Sequence, residues 1–115
     1  MEINEITASV SKALTALEHM QRTTALNIQN AGNDLAVSRS FDISEILSAV
    51  NSAESAKSAT DVMNIVESRT VTTNQTVQLD QEVVTSSQVS GRYTTLIESY
   101  NRHLALYQLA LGKGK

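Results

Sequence analysis

Apolar residues recur at alternating steps of four and three along the last third of the chain: Tyr93, Ile97, Tyr100, Leu104, Tyr107 and Leu111. That spacing is the stripe of a helix built to lie along another helix. It sits in a stretch from Thr76 to Leu111, where the helix is predicted to open at Leu79. Asp80 and Glu82 fall in its first turn, and a carboxylate such as Asp80 complements the positive end of the helix dipole there. Such a helix is about 50 Å long at ~1.5 Å per residue. A compact chain of 115 residues has a radius of gyration near 13 Å. A helix of that length needs a long partner.

The partner is at the other end of the chain. Ile3, Ile6, Val10, Ala13, Leu17, Met20 and Thr24 follow the same alternation of three and four, and Leu14 and Ile28 widen the stripe. This predicts a first helix from about Ile3 to Ala31, with Asn4 as its N-cap. Gly32 and Asn33 tolerate the left-handed conformation that ends helices. Glu18 and Arg22, like Glu98 and Arg102, sit four apart in the favourable order. The C-terminal stripe is longer than this partner can cover.

Between the two stripes the pattern is weaker. Residues 32–40 show no period. Phe41, Ile43, Ile46, Leu47 and Val50 predict a short helix with Ser40 or Asp42 as cap and Glu45 three residues after Asp42. Residues 51–59 are small and polar, a loop or a continuation of that helix. Residues 60–67 read as a helical turn or two, or a strand. Arg69 to Leu79 alternates at Val71, Thr73, Gln75, Val77 and Leu79 and reads as extended. Ser86, Ser87, Ser90 and Gly91 form a small-residue patch in the terminal helix, where another subunit is expected to approach closely. Gly112 is expected to stop that helix, with Lys113 and Lys115 beside its negative end.

The fold expected is mainly α. Long N- and C-terminal helices pair as an antiparallel coiled-coil-like rod around a short irregular middle with one or two short helices and an extended stretch. The divisions are 1–31, 32–78 and 79–115.

Composition narrows the functions. The net charge is −3, which disfavours non-specific binding to nucleic acid or anionic lipid. Cysteine is absent, so disulfides and thiolate metal sites are excluded. No apolar run is long enough to span a membrane, and the acidic N-terminus is unlike a secretory signal peptide. Proline is absent too, leaving the long helices without proline kinks.

Candidate chemistry is sparse. His19 and His103 are the only histidines, and neither has a carboxylate three or four residues away to complete a metal or catalytic group. Asp80 and Glu82 are two apart and point to different faces of a helix. The terminal Gly112-Lys113-Gly114-Lys115 lacks the rest of a phosphate loop. Tyr93, Tyr100 and Tyr107 recur every seven residues, a packing seam with hydroxyls at its edge. No enzyme, cofactor, metal or small-molecule substrate is expected; helix-mediated association is.

Two segments carry a family resemblance. Ala25-Leu26-Asn27-Ile28-Gln29-Asn30-Ala31 resembles the N-terminal signature of bacterial flagellar axial proteins, with Asn27 and Asn30 matching its two asparagines. Where that family has a Thr-Pro-Gly-Tyr type of turn, this chain has Asn33-Asp34-Leu35-Ala36. Thr76-Val77-Gln78-Leu79-Asp80-Gln81-Glu82, followed by Tyr93, Leu96, Tyr100-Asn101, Leu104 and Leu111, is similar to the segment that opens the last helix of proximal rod proteins. The likeness covers about 14–41 and 71–112.

The resemblance implies paired end helices in an inner domain, many copies stacked helically into a tube, and export through the flagellar type III apparatus without a cleaved signal. It also implies a place in the basal body, in the rod that crosses the periplasm, between the export gate and the rest of the rod. The expected partners are further copies, other rod subunits and export-gate proteins. The expected assembly residues are Leu17, Met20, Asn27, Asn30, Asp80, Glu82, Tyr93, Ile97, Tyr100, Leu104, Tyr107 and Leu111. Two other readings fit the pattern: an inner-rod or needle-base subunit of a virulence type III secretion system, and a small helical adaptor or chaperone.

Overall fold

The computed structural model describes residues 3–33 and 37–113. Four helices and a two-stranded sheet follow in the order α1 (Ile3–Gln29), β1 (Ser38–Ser40), α2 (Ile43–Ser52), α3 (Ala59–Ser68), β2 (Val71–Thr73) and α4 (Leu79–Lys113). The protein is mainly helical, with one long helix at each end of the chain. It is elongated, 64 × 28 × 17 Å, with a radius of gyration of 17.0 Å.

The two long helices lie side by side and antiparallel. Low numbers in α1 meet high numbers in α4: the Thr7 hydroxyl is 2.7 Å from that of Tyr100, and the Gln21 amide donates to Ser86 and Ser90. The predicted seam of α1 is where the core forms. Leu17 and Met20 are fully buried with Ala16, and the buried strip continues through Thr23, Thr24 and Asn27. Val89 of α4 joins them, with Tyr93 and Leu96 packed alongside.

The middle of the chain closes this core from the side. Ile46 and Val50 of α2 and Val62 and Val66 of α3 are buried beside α1, in one core cluster with Val89 of α4. Each short helix starts at a side-chain cap. Asp42 accepts the Glu45 amide at the head of α2, as expected from their spacing. Ser58 and Asp61 form a reciprocal capping box on α3. Helices of ten residues are marginal alone, so burial and caps together hold them.

Several expectations are corrected. Asn4 does not cap α1, because Ile3 is already helical. Gly112 does not stop α4, which runs on to Lys113. Residues 32–40 are not wholly irregular, since Ser38, Arg39 and Ser40 pair antiparallel with Thr73, Thr72 and Val71. The extended stretch shrinks to Val71–Thr73; of the two readings left open for residues 60–67, the helix holds and the strand does not. Gly32 does adopt the left-handed conformation past the end of α1, with φ +86°. Residues 34–36 of the turn compared above, and Gly114 and Lys115, lie outside the described residues.

Candidate assembly interface

The twelve residues expected to mediate association separate into five environments. Leu17, Met20 and Asn27 are buried inside the chain. Asn30 is half-buried in the turn after α1. Tyr93, Ile97, Tyr100 and Leu104 are half-buried along α1. Tyr107 and Leu111 are exposed. Asp80 is exposed and Glu82 half-buried in the first turn of α4, apart from the rest; the Asp80 carboxylate accepts the Gln81 amide. The seam tyrosines behave as amphipathic residues should. The Tyr100 hydroxyl meets Thr7, and that of Tyr93 donates to Glu18 at 3.5 Å.

Asn27 occupies a site of its own. Its side-chain amide donates to the Arg39 carbonyl at 2.7 Å, and its carbonyl accepts the Arg39 backbone N–H at 3.1 Å. One asparagine thus satisfies both polar groups of a peptide position twelve residues later and fastens β1 to the end of α1. Asn30 acts at the turn through its backbone: its N–H reaches the carbonyls of Leu26 and Asn27, and its carbonyl accepts the Asn33 N–H. The two asparagines therefore do different work. Neither Asn27 nor the core pair Leu17 and Met20 is open to another chain.

A polar cluster absent from the sequence reading ties the same region together. His19 Nε2 lies 2.6 Å from Glu67, and Arg39 lies 3.6 Å from the other oxygen of that carboxylate. A carboxylate only accepts, so Nε2 carries the proton. Nδ1 is buried without a partner. The hydrogen bond from His19 is the main reason the Glu67 carboxyl is held below its ordinary range, with Arg39 adding to it and burial opposing it. The cluster joins α1, β1 and α3. Glu67 is 48 residues from His19, so helical spacing gave no sign of it. Among the described residues no three His, Asp or Glu side chains converge as metal ligands. No helix there is long and apolar enough to cross a membrane.

The Ser86 to Gly91 patch is not an open landing site along its whole length. The Gln21 side chain of α1 donates hydrogen bonds to Ser86 and to the exposed Ser90, and Val89 is in the core. Gly91 lies on the outer side, with nothing within 4 Å of where a side chain would begin. It lines an open groove of about 690 Å³ between α1, α2 and α4, whose apolar walls include Val10, Leu17, Leu47, Val50 and Leu96.

The largest apolar exposure beside this groove is the end of α4. Seven of the eight residues from Leu104 to Leu111 are apolar, Gln108 being the exception. Leu106, Tyr107, Leu109 and Leu111 are 59, 45, 56 and 56% exposed. The register explains this. Thr7 meets Tyr100, so Ile3, four residues earlier, reaches only about Leu104. The remainder of α4 runs past the described part of α1.

Compared with known protein families, with characterised proteins and with solved structures, the chain matches none.

Proposed function

We propose that this chain is a structural subunit of the bacterial flagellar basal-body rod, of the proximal-rod kind, which polymerises helically and joins the export gate to the rest of the rod. The observation that carries the proposal is the end of α4. A helix apolar nearly all round is one meant to be enclosed, and within the described residues this one is enclosed by nothing beyond Leu104. The resemblance in residues 25–31 and 76–82 supplies the identity of the assembly. In that reading the antiparallel end helices form the coiled-coil-like inner domain. The free end of α4 is then covered by neighbouring subunits, through contacts that do not close into a ring and so build a tube.

Asn27 supports the same reading. The resemblance places an asparagine at the end of the first helix, and here it bonds β1 and so directs the chain back beside α3. The rival reading as an inner-rod subunit of a virulence secretion system shares the apolar terminal helix, but the paired asparagines favour the flagellar assembly. The experiment is Leu104→Asp in the source bacterium. The account expects full-length, stable protein with no assembled rod and no motility. Normal motility with intact basal bodies refutes it.

A further inference from the structure

We propose that residues 3–15 of α1 and 97–113 of α4 form an arm that opens and closes as one unit while the rest of the chain stays folded. The inference stands apart from the rod reading: it concerns a conformational equilibrium of the isolated chain, whatever structure the chain later joins.

The distribution of burial sets the boundary. Among the described residues, every buried one lies between Ala16 and Val89. The side chains packed against that core reach no further along α4 than Tyr93 and Leu96. Beyond them the two helices have only each other. Ile6, Val10, Ile97 and Leu104 are half-buried, and residues 105–112 are exposed. A segment with few buried apolar contacts opens locally at a lower cost than global unfolding.

The rest of the fold does little to hold the arm down. The partner α4 packs along is α1. Helix α2 stands off from the arm across the open groove of about 690 Å³, with Val10 and Ser99 on one side and Leu47 and Asn51 on the other. Thr7 and Tyr100 hydrogen-bond within the arm. Lys12 donates to the Ala53 carbonyl at 3.1 Å and ties the base of the arm to the end of α2. The bonds of Gln21 to Ser86 and Ser90, and of Tyr93 to Glu18, lie on the core side of the boundary.

The two halves of the arm depend on each other. The α1 half is no longer than the ~12–15 residues at which an isolated helix is marginal in water. Its Asn4, Thr7, Ser9, Val10, Ser11 and Thr15 are weak helix formers. Once α4 swings away, Ile6 and Val10 lose their cover and that half melts. Once α1 melts, Ile97 and Leu104 lose the face they lie on. Opening is therefore joint, and is not the fraying of two separate ends. It bares the seam that the closed arm half-buries, so this equilibrium sets how much apolar surface the chain offers for association.

Native-state hydrogen exchange of the full chain tests this. The amides of residues 7–15 and 97–104 should share one level of protection, at least about tenfold below that of Thr24, Val50 and Val66 in the core. Ile46→Val then separates local from global opening. It trims a fully buried side chain by one methylene and should speed exchange at the core amides by about two- to tenfold. The arm amides should keep their rates. Arm amides that speed up in step with the core overturn the proposal, because they then exchange only when the whole chain unfolds. Protection that climbs residue by residue from Thr7 to Thr15, with no shared level, is fraying and overturns it as well. Rods seen in cells, or their absence, decide the proposed function and leave this result untouched.

Discussion

Asn27 commits its whole amide to one peptide position. Both bonds are to Arg39 backbone atoms, and the asparagine is 2% exposed. Removing it leaves a backbone donor and acceptor with no replacement at a partly covered site. Asn27→Ala should therefore cost about 1–3 kcal/mol, measured by urea unfolding, and should speed hydrogen exchange at the Arg39 amide. Leu and Met truncations in the adjacent core would cost as much without touching that amide, so the exchange readout separates fastening from packing. Glu67 offers a second test at this scale. Its carboxyl is held low in the folded protein, chiefly by the His19 hydrogen bond. A group with a depressed folded pKa contributes stability above its unfolded value and loses it as pH falls through the folded one. The stability that the Glu67 carboxylate contributes, read as the difference between the native protein and Glu67→Gln, should shrink as pH falls below about 4.3, the ordinary glutamate value. Thermal melts from pH 7 to 3 check this; parallel curves would deny the linkage.

The short helices depend on their caps in a way the long ones do not. In α3 the Ser58 hydroxyl accepts the Asp61 N–H, and the Asp61 carboxylate accepts the backbone N–H groups of Lys57 and Ser58. Those bonds also hold the Asp61 carboxyl below its usual range. Ser58→Ala should cost about 0.5–2 kcal/mol of stability, read by chemical denaturation. The two long helices were legible in the sequence because their period persists over many turns: Leu17 and Met20 fall where the stripe puts them. β1 was not legible. Ser38, Arg39 and Ser40 have no apolar alternation, and become a strand only because β2 pairs with them and Asn27 holds them. The His19–Glu67 contact was equally hidden, since it joins elements that helical spacing cannot relate. The candidate interface was half legible. The stripe showed that α4 outlasts its partner. Leu106 and Leu109 fall off that stripe, and they gain meaning only when the register shows that nothing lies beside them.

At the scale of the whole molecule, shape and exposure point the same way. A chain with a radius of gyration of 17.0 Å is well above the ~13 Å of a compact chain of about a hundred residues. Its core is gathered around residues 16–27 of α1, with α2, α3 and Val89 of α4. The far end of α4 extends from that core as a single apolar helix. Such a body is anchored at one end and adhesive at the other, the form a polymerising subunit takes under the proposed function. The most direct test is to delete the gene in the source bacterium and image its basal bodies by electron cryotomography. The account predicts export gates in place with no rod built upon them. Complete rods in the deletion strain would contradict it.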